Sequence, residues 1–316
     1  MKTPLPKTFH IGGYWRGPND VVRHMMLGLR AAGAEVFECN SDERREALDC
    51  EGRPYDRGTF GPAWLRWNVL RASIEQFQPD LIVCNAGGLS FRPEIAERLR
   101  RSTRLLGISL SDPDVFAPAT SSIALNFDLF LTNAPACVSD YQALGVNVME
   151  LPPATNAEFF QPVAARPELD CEVLVIGRAH LDRIEPVRRI AERFRLHLYG
   201  EGWESHSRGS VYGDDLLLRL ELRSNCPDFR TDGGPVMRFQ REGCLTFLRR
   251  GRWWPPNGSG GWSDTCGLTA KSSVFIPPKP EAVRRAGRQR VLSQHTWKMV
   301  WPRIVEELPH KGTPGC

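Results

Sequence analysis

The chain has 316 residues, 41% of them hydrophobic and 25% charged, with 41 Lys and Arg against 37 Asp and Glu. At about 100–200 residues per domain this length predicts two domains, and the composition excludes disordered and collagen-like chains. No apolar run approaches the ~18 residues of a membrane span, and the charged N-terminus lacks the apolar core of a signal peptide. The expected location is therefore cytoplasmic, with no integral membrane segment.

To about residue 215 the sequence alternates between strand and helix patterns. Residues 8–11 predict a strand ending in Gly12 and Gly13. Residues 19–32 predict a helix, with Asn19 or Asp20 as N-cap, Val22, Met25, Met26 and Leu29 inward, and Gly33 as the residue after its end. A strand follows over 34–39. Residues 41–62 are polar and turn-rich, a surface loop. The spacing then predicts a helix over 64–77 with Leu65, Val69, Ile74 and Phe77 inward. The continuous apolar run Leu81 to Cys84 suits a strand buried on both faces of a parallel sheet, and it ends in Asn85, Ala86, Gly87 and Gly88. A helix over 93–101, strands over 105–110 and 127–131, a helix over 136–144 and a strand over 146–151 complete the first domain. This alternation predicts a doubly wound parallel sheet.

Prolines at 152, 153, 162 and 167 make 151–170 the linker candidate. The pattern restarts with a strand over 171–176, a helix over 184–194 with Pro186 in its first turn, and a strand over 195–199. From residue 219 neither helical nor strand periodicity holds over a useful length. Helical character returns over 281–308. The window 219–280 holds 10 basic and 5 acidic residues, leaving 31 and 32 elsewhere, so it alone makes the chain basic. It also carries 8 Gly, 7 Pro, three Trp and three Cys.

The nine cysteines show no Cys-x-x-Cys pair and no zinc spacing, which predicts reduced, mostly structural thiols and no bound metal. The dinucleotide fingerprint, Walker A, nucleophile-elbow, zincin and kinase motifs are absent. What remains is a set of strand ends. In open α/β sheets ligands bind beyond the carboxyl ends of the strands, and a helix N-terminus facing that space attracts phosphate. Gly12, Gly13, Trp15, Arg16, Asn19, Asp20, Asn85, Gly87 and Gly88 mark such a site in the first domain, although a simple turn also accounts for the glycines. In the second domain Gly177, Arg178, His180 and Arg183 form another, because arginine forks match diphosphate oxygens. Tyr199, Gly200, Glu201, Gly202 and Trp203 close the next strand, as a pocket wall or an ordinary turn. Asp112, Asp114 and His24 are the candidate bases toward an acceptor hydroxyl, with His10 a further rival. His24 also suits simple helix packing. The Arg and Trp mixture at 249–262 does not build a nucleic-acid surface, so no nucleic-acid partner is expected.

Several of these segments together resemble GT-B glycosyltransferases of the spore-maturation-protein type. They are 173–178, 182–186, 197–203 and 211–213, with the closing segment 286–297 and its His295-Thr296 pair, and the glycine loop 10–20. The resemblance covers roughly 8–215 and 281–308. It implies an α/β protein of two Rossmann-like domains, the second incomplete or disrupted. The first, 1–160, takes the acceptor. The second, 168–290, takes the nucleotide sugar and is irregular at 219–280. A helix and tail over 291–316 close the chain. It further implies transfer from a nucleotide diphosphate sugar to a hydroxyl without a bound metal or other cofactor, with Arg178 and Arg183 on the diphosphate. A non-catalytic relic and a nucleotide-sugar epimerase-like enzyme are the alternatives. The group's segment of acid and small residues that holds the donor ribose and sugar has no counterpart here; 231–237 is at most a vestige, and 242–244 a poor substitute. Loss and recovery of pattern, with Arg, Gly, Pro, Trp and Cys enriched, is what an out-of-frame reading of GC-rich DNA produces, and a compensated frameshift is the expected cause. Resequencing the coding DNA checks this: another frame across 219–280 should restore a strand–helix pattern, and the idea fails if none does.

Overall fold

The structure, a computed structural model, describes residues 5–12, 21–40, 47–49, 62–85, 89–161, 173–176, 179, 181–203, 207–209, 236–239, 245–249, 252–253 and 281–309. The chain divides into two compact units, Met1–Phe159 with Gln289–Cys316, and Phe160–Arg288.

In the first unit the order is β1 (Thr8–Gly12), α1 (Val21–Ala31), β2 (Val36–Asn40), β3 (Ala47–Asp49), β4 (Ala63–Leu65), α2 (Trp67–Phe77), β5 (Leu81–Asn85), β6 (Leu89–Ser90), α3 (Pro93–Leu99) and β7 (Arg104–Ser109). Tight helical turns over 116–126, among them α4 (Ser121–Ile123), lead to β8 (Leu129–Thr132), α5 (Val138–Ala143) and β9 (Val148–Glu150). Six strands form one parallel sheet in the order β2-β1-β5-β7-β8-β9. This is the Rossmann-like α/β arrangement the alternation predicts. A small second sheet, β3-β4-β6, lies within 41–62 and the residues beyond it. There the sequence had suggested only loop and the start of a helix.

That shift changes the phase of α2. The helix starts at Trp67 rather than Trp64, so Leu70 and Ile74 face the core while Val69 is exposed. Inward positions three to four residues apart fall on 70, 74 and 77, one residue away from Val69. α1 keeps its predicted phase, with Val22, Met25, Met26 and Leu29 buried. Gly33 takes φ 101° at its end, and the Ala34 N–H donates to Leu29 O at 3.1 Å, closing the turn.

The strand order reverses direction after β2. Because β-α-β crossovers are right-handed, that reversal sends α2, α3 and α5 to one face and leaves α1 alone on the other. The two cores reflect this. One holds Phe9, Ile82, Leu105 and Phe130 under Leu70, Ile74, Leu99 and Tyr141. The other holds Leu81, Val83, Leu106, Ile108, Leu129 and Leu131 under α1. A single helix cannot cover that second face, and the C-terminal segment supplies the rest. After α7 (Glu281–Gln294), helix α8 (Trp297–Glu306) buries Trp297, Val300, Trp301 and Ile304 in the same core. The Trp301 indole N–H donates to Met25 O at 2.7 Å. Gly28 makes room: a Cβ there would lie 2.1 Å from Trp297 Cβ. The residues after β9 meet the returning chain, with the Thr155 N–H donating to His295 O at 2.9 Å and the Trp297 N–H to Thr155 O at 3.0 Å. Part of the expected linker is thus structural in the first unit.

In the second unit β10 (Val173–Ile176) and β11 (Leu196–Tyr199) pair in parallel around α6 (Leu181–Ala191). α6 begins before Ile184, so Pro186 lies inside the helix and not in its first turn. Val175, Val187, Leu198 and Trp203 form its core. Within 219–280 three short strands, β12 (Val236–Phe239), β13 (Leu245–Arg249) and β14 (Arg252–Trp253), pair antiparallel. The sequence had indicated no element there, because runs of two to five residues are too short to display a period. Among the described residues no helix is long and apolar enough to cross a membrane.

Two outcomes follow. Trp301→Ala should lower unfolding stability by about 3–5 kcal/mol and Gly28→Ala by about 1–3 kcal/mol, measured by urea denaturation. His10 is fully buried on β1, and burial, with the Arg30 guanidinium as second cause, lowers it from 6.5 to about 3. The unfolded chain therefore takes up a proton below pH 6.5 that the folded chain refuses until about pH 3. Stability present above pH 6.5 should be lost across that window by up to about 1.4 kcal/mol per pH unit, and denaturation in His10→Leu should lack this slope.

Candidate functional site

The reversal of strand direction places a switch point between β1 and β5, where open parallel sheets bind ligands outside the strand ends. Gly12 ends β1, and in register beside it stand Asn40, the last residue of β2, and Asn85, the last of β5. The residues just before them, Cys39, Ile11 and Cys84, belong to the core under α2. By strand alternation the row Asn40, Gly12, Asn85 points to the α1 face. Asn85 is 1% exposed, and its Nδ2 donates to the Met25 thioether at 3.0 Å. Among the described residues its Oδ1 has no hydrogen-bond partner. Gly12 and Asn85 were expected at this site from sequence; Asn40 was missed. A signal for it existed, since β2 and β5 both end in Cys-Asn. Cys39 and Cys84 are buried, and burial pushes the Cys84 thiol up, with Cys39 as second cause.

Asp112 follows β7 and is buried, at 4% exposure. Its Oδ2 accepts from the Thr132 hydroxyl at 2.7 Å and the Tyr141 hydroxyl at 3.0 Å, and its Oδ1 accepts from Thr120 at 3.1 Å. Tyr141 and Thr120 also hydrogen-bond each other. The Asp112 N–H donates to Asn133 Oδ1 at 3.0 Å, and Asn133 Nδ2 returns a bond to Asp112 O at 3.2 Å. Burial pushes the Tyr141 hydroxyl up and the Cys137 thiol up, and the Asp112 charge adds to both. A carboxylate whose oxygens both hold hydroxyl donors is an internal anchor joining β7, β8 and α5, not a base facing an open cleft. Asp114, two residues on, is exposed. Among the described residues no cluster of three His, Cys, Asp or Glu side chains is arranged to hold a metal ion.

His24, 3% exposed on α1, packs its ring against Phe159 at a 48° tilt, with centroids 4.7 Å apart, and meets Asn156 Nδ2 through Nδ1 at 3.3 Å. It fixes the residues after β9 against α1, the packing role weighed from sequence. In the second unit the turn 199–203 closes β11. Tyr199 is buried, and Trp203 is a core residue rather than a pocket wall. Glu201 is exposed, and its carbonyl accepts from the Ala179 N–H at 2.9 Å, joining the ends of β10 and β11. Gly202 needs its φ of 83°, and a Cβ there would press on Ala179 at 3.2 Å. Gly200, at φ 135°, accepts from the Ser207 hydroxyl at 2.7 Å. Gly13, Trp15, Arg16, Asn19, Asp20, Gly87, Gly88, Gly177, Arg178, His180 and the side chain of Arg183 lie outside the described residues.

No protein-family model matches the sequence, and no curated protein is significantly similar to it.

Asp112→Ala strands the Thr120, Thr132 and Tyr141 hydroxyls in the core, and should cost about 3 kcal/mol of stability in urea denaturation, the scale of hydrogen bonds to a buried charged group.

Proposed function

We propose that the protein is a glycosyltransferase of the two-domain GT-B type, moving a sugar from a nucleotide diphosphate sugar to an acceptor hydroxyl. The first unit takes the acceptor at the β1–β5 switch point. The second takes the donor beyond the ends of β10 and β11. The observation that carries this reading is the architecture: two separately started parallel α/β units, with a closing helix that returns to the first. Residues 173–176, 196–199 and 286–294 lie on β10, β11 and α7, which supports this reading.

In this mechanism Arg178 stabilises the diphosphate as charge develops on the leaving group, an electrostatic role that needs no proton transfer. The acceptor hydroxyl loses its proton to a base other than the saturated Asp112 and the buried His24, with the exposed Asp114 as the candidate on the first unit. No cofactor takes part beyond the donor itself, and the reaction belongs to the cytoplasm, without a nucleic-acid partner.

The saturation of Asp112 favours a second reading, a non-catalytic relic that retains the acceptor unit. Thermal-shift titration with UDP, GDP and ADP, followed by a hydrolysis assay over their sugar conjugates, separates the two. The transferase binds a nucleotide and releases sugar from at least one conjugate, and Arg178→Ala abolishes release while the protein stays folded. Nucleotide binding without turnover supports the relic, and absence of both overturns the transferase reading.

A further inference from the structure

The chain enters α2 and α3 in the same way. Trp64 on β4 and Ser90 on β6 are parallel register partners, and two residues beyond each stands an arginine, Arg66 and Arg92. Each is the N-cap of the helix that follows, Arg66 at φ −77° and ψ 95° and Arg92 at φ −56° and ψ 148°, so both segments are still extended there. Adjacent strands lie about 4.8 Å apart, which sets the spacing of the two backbones. Leu65 and Phe91, one residue earlier, are buried, so by strand alternation the arginines point outward, and both are exposed. Ring contacts hold the two helix starts together. Trp67 meets Phe91 edge-on with centroids 6.2 Å apart, and the Arg98 guanidinium lies over the Trp67 ring at 5.8 Å.

Three cations thus gather around one indole. Other arginines of these helices have carboxylates: Arg71 pairs with Glu75 at 2.7 Å, Arg100 with Asp128 at 2.8 Å and Arg101 with Glu97 at 3.9 Å. Among the described residues Arg66 and Arg92 form no ion pair, and neither side chain caps its helix. Glu94 is the acidic residue in the first turn of α3, the first turn of α2 has none, and Glu94 pairs with neither arginine. Like charges on neighbouring strands repel, and the macrodipole at the start of α2 disfavours a cation. An anion offsets both costs. Guanidinium forks match the oxygens of a phosphate, and its charge near −2 at neutral pH balances two arginines.

We infer that Arg66 and Arg92, with Arg98 held on Trp67 beside them, form a binding surface for the phosphate group of a small phosphorylated molecule. Neither arginine belongs to the strand ends assigned above to donor and acceptor, so this surface stands or falls independently of the transferase.

The test is calorimetric titration of the full chain with inorganic phosphate and with succinate, a dicarboxylate of similar charge, in chloride buffer at constant ionic strength. It is repeated in Arg178→Ala, which removes the proposed diphosphate contact of the donor. Phosphate should bind the parent and Arg178→Ala alike. Arg66→Gln and Arg92→Gln should each weaken it about fivefold, the upper scale of charge pairs that stay in contact with water. Arg71→Gln, whose partner is Glu75, should leave it unchanged. Without phosphate, Arg66→Gln and Arg92→Gln should melt at or above the temperature of the parent, because each removes a repelling charge. Absence of phosphate binding, tighter binding of succinate than of phosphate, equal weakening in Arg71→Gln, or a loss confined to Arg178→Ala overturns the inference. A lower melting temperature in Arg66→Gln and Arg92→Gln with phosphate affinity unchanged assigns them a structural role and overturns it too. Phosphate binding that depends on Arg66 and Arg92 in a chain that turns over no nucleotide sugar leaves this surface standing and removes the transferase; sugar release with phosphate binding indifferent to both does the reverse.

Discussion

The packing of α8 against α1 is the contact on which the first unit depends. The sheet turns back on itself after β2, and that topology commits later helices to the opposite face. Leu106, Ile108, Leu129 and Leu131 would then face water beside a single helix. Trp297, Val300, Trp301 and Ile304 cover them, and the Trp301 indole finds a backbone carbonyl on α1 so that no polar hydrogen is buried unpaired. Gly28 lets the two helices approach at Trp297. Because α8 comes last in the chain, the first core stays open until that helix is in place.

The same topology positions the chemistry. It puts the switch point at Gly12, brings Asn40 and Asn85 to either side, and directs α1 toward that edge. The opposite face carries a different polar cluster, where Asp112 ties the ends of β7 and β8 to Tyr141. Among the described residues each face of the sheet edge keeps a buried polar atom without a partner, Ser109 Oγ on the Asp112 face and Asn85 Oδ1 on the α1 face.

Much of the first unit was legible because its signals are local. Leu81 to Cys84 is apolar on both faces, α1 repeats its apolar residues at helical spacing, and Gly33 stops that helix. The phase of α2 was misread because Ala63–Leu65 pairs with β3 and β6, a non-local fact that removes the first turn from the helix. The burial of Asp112 and Trp203 was not legible for a related reason. Burial depends on what packs over a residue, and Thr120, Thr132 and Tyr141 lie 8 to 29 positions from Asp112 in sequence. Asn40 was overlooked although the Cys-Asn ending it shares with β5 is visible in the sequence. Only the register with Gly12 gives that repetition meaning.

By itself, then, the sequence determined the strand–helix alternation, the two-unit organisation and the glycine-marked strand ends, because periodicity, glycine and proline act within a few residues of themselves. The tertiary structure decided which face each strand end serves, which polar groups are satisfied and which helix seals the sheet. Those depend on contacts such as Met25 with Trp301, which are 276 positions apart and leave no local trace in the sequence.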